Sequence, residues 1–302
     1  MRPTDLAALT ALAVVWGAAF MLIRTAVPDF GPLALTELRV AVAAIILVVL
    51  GRGGLFAEIR RRPGAFVVLG LGFSAVPFSL ISIAGQTLPA SILAVLNATV
   101  PLFTALTAAA WLGHVLTPGR LAGVVIGLIG VLAVVGWSSL PPHAETLIAV
   151  AASLGAAASF GLSGTFVRQH LADVPPIHLA AGQLGVAAVL LAVPAAASMP
   201  QVLPSDEAIA AALALAVVST SLAWPAYYAL LARSGPTAAS TVTFLVPVSA
   251  AIWGATVLGE HVGPELLPGV GLIVASLALV LGIRPTIGRP LVRRLLPRPT
   301  GG

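Results

Sequence analysis

Residues 6–27 read LAALTALAVVWGAAFMLIRTAV and run straight into Pro28-Asp29-Phe30-Gly31-Pro32. The run carries one charge, Arg24, in 22 residues. About 20 apolar residues suffice to cross the hydrocarbon core of a bilayer as a helix, so this stretch reads as a membrane span. It is too long for the apolar region of a typical secretory signal and has no clear small-residue cleavage site, so no cleavable signal peptide is expected. The remainder of the chain follows suit. Of 302 residues, 59% are hydrophobic and 8% charged, with a mean hydropathy of +1.08; soluble domains carry about 25% charged residues. A soluble fold of this size could not hide that much apolar surface, so lipid is the solvent for most of the chain. The apolar runs are continuous rather than alternating, which argues against a membrane β-barrel.

Working outward, apolar runs between polar or Pro/Gly breaks number ten: 6–27, 33–50, 64–84, 90–112, 119–137, 146–169, 177–197, 207–231, 237–258 and 265–284. Arginine placement tests this map. With the N-terminus in the cytoplasm, the inside segments hold Arg2, Arg52, Arg60, Arg61, Arg62, Arg120, Arg168, Arg233, Arg284, Arg289, Arg293, Arg294 and Arg298. The outside loops hold no arginine but carry Asp29, Glu145, Asp206, Glu207, Glu260 and Glu265. That asymmetry is the positive-inside rule, and it predicts both termini inside. There is no lysine and no cysteine, which excludes disulfides, thiolate metal sites and cysteine nucleophiles. The net charge of +5 is a matter of orientation, and no nucleic-acid partner is expected.

The chain also aligns with itself. A shift of 144 places Gly17 on Gly161, Arg24 on Arg168 and Pro32 on Pro176. A shift of 146 places Pro101 on Pro247, Leu112-Gly113 on Leu258-Gly259, Pro118 on Pro264, Gly123 on Gly269 and Gly136 on Gly282. The expected organisation is therefore residues 1–138 as one five-helix repeat, 139–284 as a second, and 285–302 as a basic cytoplasmic tail. Five spans per repeat is odd, so the second repeat enters the membrane upside down. Inverted repeats mark secondary transporters, whose halves exchange inward-open and outward-open shapes. The fold class expected is all-α integral membrane, with ten transmembrane helices in two inverted-topology repeats.

Several residues carry a family likeness: Trp16-Gly17 with Phe20 and Arg24, Arg39 with the Ala-rich run after it, Asn97 to Pro101, and Leu258-Gly259-Glu260 through Pro264 to Gly269. In these the chain resembles the drug/metabolite transporter superfamily, specifically its ten-helix EamA-type exporters. One departure stands out: His114 occupies the place where the first repeat often has Glu, as Glu260 does in the second. The resemblance implies export of small metabolites, commonly amino acids, from the bacterial cytoplasm through the inner membrane.

A pathway needs polar or aromatic groups at depth and helices that bend. Pro77, Pro101, Pro225 and Pro247 lie deep in spans three, four, eight and nine. Each removes a backbone hydrogen bond, either bending a cavity-lining helix or serving as a packing kink. Asn97 lies one turn before Pro101, placed to meet a solute or a neighbouring helix. Trp16 and Phe20 share a face, as do Ser74 and Phe78, and Trp224 and Tyr228; Ser163 and Thr243 lie near mid-depth. Together these nine residues are the candidate substrate contacts: rings for an ammonium, hydroxyls and an amide for a carboxylate. Arg24, Glu37 and Arg39 are the ionisable groups within spans, functional candidates by default, and an Arg24–Glu37 pair across the short hairpin is expected. His114, His143, His170, His178 and His261 all fall at ends or loops. Without a buried titratable relay, facilitated diffusion is expected, with weak proton coupling through Glu37 or multidrug export as alternatives. No HExxH, paired membrane aspartates or other catalytic constellation supports an intramembrane enzyme, and no metal or cofactor is called for. The partners expected are a small-molecule substrate and membrane lipids, and a monomer suffices.

Overall fold

The computed structural model describes residues 3–51, 53–112, 117–137, 143–239, 242–261 and 263–281. Every regular element among them is helical. Seven segments are long and apolar enough to cross a membrane: Thr4–Phe30, Pro32–Leu50, Pro63–Gly85, Ala90–Trp111, Ala144–His170, Pro176–Ala196 and Asp206–Arg233. Three shorter apolar helices, Pro118–Val134, Leu245–Val257 and Pro264–Val280, accompany them.

In chain order, α1 (Pro3–Phe30) and α2 (Pro32–Leu50) meet at Gly31, and the short α3 (Leu55–Arg61) leads to α4 (Pro63–Gly70). The third apolar run is not one uniform helix. α4 passes through a π-helical turn, Leu71–Ala75, into α5 (Val76–Gly85). Pro77 has no N–H to give the preceding turn, and the extra residue of the π turn absorbs the misfit. The eighth run repeats the device: α11 (Asp206–Ala216), a π turn at Val217–Leu222, then α12 (Ala223–Ala239) with Pro225 just inside it. The fourth run is broken outright. α6 (Ala90–Asn97) ends one turn before Pro101, and α7 (Val100–Leu112) starts after Ala98-Thr99. Beyond these lie α8 (Pro118–Trp137), α9 (Ala144–His170), α10 (Pro176–Ala196), α13 (Val242–Val257) and α14 (Leu267–Leu281). Pro247 stays within α13. One boundary differs from expectation: α12 runs on through Gly235 and Pro236 rather than ending near Leu231. Ala232 is exposed there, so the carbonyl that Pro236 leaves unbonded sits at a wet helix end.

Packing recurs at a fixed sequence offset. α1 lies along α13, and α9 along α7; α1 also packs on α11 and α12, and α9 on α5; α2 pairs with α10, and α8 with α14. A Cβ at Gly17 would stand 2.8 Å from Ala250 N, and one at Gly161 2.7 Å from Thr104 N. The two contacts lie 144–146 residues apart in sequence, so each glycine admits the close approach of a discontinuous or kinked partner helix.

Polar ties join the helix ends. At one end, Asp29 Oδ2 accepts from Ser205 N (2.8 Å) and Ser205 Oγ (2.6 Å), while Ser205 caps α11 by accepting from Ala208 N. Gly259, at φ 64, ends the α13 segment in the left-handed turn that glycine favours, and Glu260 N returns to Gly254 O. The turn delivers Glu260 to the start of α6, where its carboxylate accepts from Ala90 N (2.6 Å), Ser91 N (3.2 Å) and Ser91 Oγ (3.1 Å). At the opposite end, Arg62 forks onto Asp173 with two 2.6 Å bonds. His114 lies outside the described residues.

Candidate functional site

A cavity of about 910 Å³ lies among α1, α2, α5, α6, α7, α9, α10 and α12. Arg120, Arg168 and Asp173 line it at the Asp173 end, whereas at the Asp29 end it stops below Ile23, Ile81 and Ala94. It is a pit, open on one side.

Its wall is aromatic. Trp224 is the centre of the cluster, with Trp16 at 5.5 Å, Phe73 at 5.3 Å, Tyr228 at 5.7 Å and Phe78 and Phe160 each at 6.4 Å between ring centroids. Tyr227 stands 5.2 Å from Trp16. Each such pair contributes about 0.5–1.5 kcal/mol beyond area burial, so the wall is stiff. Two polar atoms in it have no partner among the described residues: Asn97 Oδ1 and Trp224 Nε1. Leaving a buried polar group unsatisfied costs about 1–3 kcal/mol, and both atoms belong to residues that line the cavity. Pro101 explains Asn97's position: without an N–H at residue 101 the helix breaks after Asn97, a discontinuity of the type that forms solute sites at mid-membrane. Arg39, 5% exposed, lines the same cavity. Its Nε donates to Thr220 Oγ1 at 2.8 Å and its guanidinium carbon lies 3.7 Å from the Phe78 ring centroid. At the mouth, the Arg62 fork holds the Asp173 carboxyl well below the ordinary range, at about 2.

Against this geometry the comparisons with known proteins decide the family. The EamA-like transporter family profile matches residues 4–136 and 147–282. The chain belongs to the EamA-like transporter family. It thereby falls in the drug/metabolite transporter superfamily, and it is a multi-pass protein of the inner membrane. It is 29% identical over 283 residues to the "Uncharacterized inner membrane transporter YedA" of Escherichia coli (strain K12), covering 90% of this chain and 89% of that one. The "Threonine/homoserine exporter RhtA" of the same organism is 29% identical over 275 residues, with 89% and 88% covered. The "Uncharacterized transporter YvbV" of Bacillus subtilis (strain 168) is 24% identical, covering 90% of each. A solved structure described as "Crystal structure of protein" superposes with a TM-score of 0.66 at 20% identity, covering 92% of this chain and 96% of that one, a likeness of fold.

On this EamA-like frame Trp16, Phe20, Phe78, Asn97, Trp224 and Tyr228 come together on the cavity wall. Ser74 and Ser163 do not line it. Ser74 is fully buried and accepts from Gln183 Nε2 at 2.8 Å, and Ser163 packs against Gly72. The Thr243 side chain lies outside the described residues. Of the four prolines only Pro101 lines the cavity; Pro77 and Pro225 follow the two π turns, the first of which carries the cavity-lining Phe73, and Pro247 does not line it.

The expected Arg24–Glu37 pair does not form among the described residues. Arg24 Nη1 instead donates to Gly85 O (3.1 Å) and Gln86 O (3.2 Å), at the carbonyl-rich end of α5 that the fold brings beside it. Glu37 Oε2 is buried without a partner among the described residues, away from the cavity. Sequence reading overlooked Phe73, Phe160, Tyr227, Gln183 and Thr220. The repeat offsets hold the missing signal for three of these: 144 carries Trp16 to Phe160 and Arg39 to Gln183, and 146 carries Ser74 to Thr220.

Proposed function

We propose that this EamA-like transporter is a secondary carrier that exports amino acids with apolar or aromatic side chains by alternating access, by facilitated diffusion. The observation that carries the reading is the one-sided cavity, aromatic-walled and holding unpartnered polar atoms at depth. In this reading the seven long segments and three shorter apolar helices are ten spans in two inverted five-helix repeats, divided near residue 138, with both termini cytoplasmic. The recurrence of contacts at an offset near 146 supports the repeat, and the arginines Arg120 and Arg168 at the cavity mouth support an opening toward the cytoplasm. The molecule then stands inward-open. Glu260 on the start of α6 and Asp29 on Ser205 close the outer end.

The wall suits a zwitterion. Ring faces attract an ammonium, Asn97 supplies an amide, and the apolar remainder accommodates a side chain. The relative RhtA, by its name an exporter of threonine and homoserine, makes amino acids the first class to test. Glu37 favours a second reading, proton coupling, because a carboxylate oxygen is buried there without a partner among the described residues. Its absence from the residues that line the cavity favours facilitated diffusion instead. The test is counterflow in proteoliposomes with labelled amino acids, with and without a pH gradient. Uptake of amino acids without a gradient is expected; acceleration by the gradient that disappears in Glu37→Gln establishes coupling, and exclusive transport of lipophilic cations overturns the amino-acid reading.

A further inference from the structure

Arg39 is a buried cation that nothing neutralises among the described residues. Three ion pairs are found there, Arg61–Glu58, Arg62–Asp173 and Arg233–Asp5, and Arg39 is in none of them. Glu37, two residues earlier on α2, points elsewhere on the helix by register, since positions i and i+2 do not face each other. A guanidinium offers five N–H donors in a rigid fork. Nε is committed to Thr220, while the terminal amino groups make no hydrogen bond among the described residues, on a side chain that lines the cavity. Phe78 supports the flat face from 3.7 Å, fixing the plane of the fork.

We propose that Arg39 seats the substrate's carboxylate, so that the solutes carried are carboxylates, zwitterionic amino acids foremost, and not lipophilic cations. This rests on the carrier reading above and deepens it. Three further observations converge. The other charges on the cavity lining are Arg120, Arg168 and Asp173, and the last is already clamped by Arg62, so the pit presents positive potential to an incoming solute. Trp224 Nε1, a donor without a partner, belongs to the ring beside Phe78, supplying a second group that a carboxylate satisfies. Asn97 Oδ1, an acceptor without a partner, lines the same cavity and suits the ammonium. Two donors and one acceptor left open match the polar groups of one amino acid. A bidentate Arg–carboxylate pair also restores to a buried guanidinium the counter-charge it lacks, whereas a cationic solute would meet it unshielded.

The position equivalent to Arg39 in the second half argues that there is one such seat. Gln183 fills it, and its amide is spent at both ends, donating to Ser74 and accepting from the Tyr228 hydroxyl at 2.6 Å.

The experiment uses full-length protein in liposomes and compares counterflow of labelled L-threonine and L-phenylalanine with competition by unlabelled acids, their amides and their methyl esters. Quenching of intrinsic tryptophan fluorescence in detergent, in protein whose Trp111, Trp137 and Trp253 are replaced by Phe so that Trp16 and Trp224 remain, reports binding independently of transport. In the wild type the acid should outcompete its amide by on the order of tenfold to hundredfold, the range for a hydrogen bond to a charged group. Arg39→Gln should bring the acid-to-amide ratio close to one, and Arg39→Lys, which keeps the charge without the fork, should retain an intermediate ratio. A wild type that carries solutes with an acid-to-amide ratio of one overturns the proposal on its own, whether or not any variant folds, and leaves the carrier reading standing. An undiminished ratio in folded Arg39→Gln overturns it too. A wild type that neither moves nor binds any of these probes overturns both readings.

Discussion

Arg39 and Gln183 stand 144 residues apart, on helices that pack against each other, and each reaches the π turn of the opposite half: Arg39 to Thr220, Gln183 to Ser74. The backbones around them match, and so do the hydroxyls they touch, but the outcomes differ. Gln183 is sealed, with every bond it makes running to protein, while Arg39 keeps a charged fork at the cavity wall. On the proposed two-repeat organisation, one side chain ties the helices together while its counterpart keeps a fork at the cavity wall, where we propose it meets solute. The lesson is that matched position does not mean matched role; what decides is whether the surroundings use up the hydrogen-bonding capacity.

Gln183→Leu breaks the comparison most severely. It strands Ser74 Oγ and the Tyr228 hydroxyl, at about 1–3 kcal/mol each, so unfolding in detergent should shift down strongly while the surviving protein keeps its acid-to-amide preference. Loss of that preference at unchanged stability would reverse the two roles. Glu260→Ala comes next. Removing three hydrogen bonds from the start of α6 costs about 1–2 kcal/mol at the end proposed to be closed toward the outside, by analogy with a helix cap. Because the chain has no cysteine, an Ala94→Cys probe at the blind end of the pit can be labelled cleanly. Labelling from outside by an impermeant maleimide should rise several-fold in the Glu260→Ala background, and an unchanged rate would detach Glu260 from closure.

Trp224→Phe sharpens the comparison with a smaller effect. A smaller ring remains and the orphaned N–H goes, so the gain from removing it and the loss from the void offset and stability should change by about 1 kcal/mol or less, while KM for a carboxylate rises roughly two- to tenfold. A lower KM would mean the indole N–H does not meet solute. The smallest effect belongs to Arg62–Asp173. Asp173 is lowered to about 2 by the Arg62 fork, against about 3.9 when unfolded. The contribution is therefore complete above pH 4 and lost as pH falls toward 2. Melting of wild type and Asp173→Asn should show no difference in slope between pH 5 and 8.

Much of the fold was legible because proline and glycine punctuate it. The hairpin at Pro28 to Pro32 and the turn at Leu258-Gly259 follow from backbone chemistry that the letters state directly, whereas Pro101 marked only a bend in a single 90–112 span and the outright break after Asn97 did not show, since Pro247 stays within its helix. The aromatic wall was half legible: Trp16, Phe20, Phe78, Trp224 and Tyr228 stand out by residue type and depth, Phe160 shows only through the offset that pairs it with Trp16, and Phe73 and Tyr227 look no different from lipid-facing rings until the fold is closed. Arg24 misled for an instructive reason. A hairpin and opposite charges suggested Glu37, whereas the carbonyls ending α5 carry no mark in the sequence as an acceptor for arginine. Gln183 could be reached only through the repeat offset that pairs it with Arg39, since a buried amide announces neither of its partners.

The contact between Arg39 and Thr220 has a further consequence, in time. The two residues are separated by 181 positions, and at about 5–20 residues per second a ribosome needs roughly 10–40 s to make that length. Throughout that interval α2 is in the membrane, or waiting at its threshold, with an arginine whose hydroxyl partner does not yet exist. A charge near the middle of a lone span costs about 2.5–3.5 kcal/mol on insertion, and the apolar stretch Val40–Leu50 is what must carry it until the second half arrives. The residue proposed to meet solute in the finished protein is the one the nascent chain must insert without its partner.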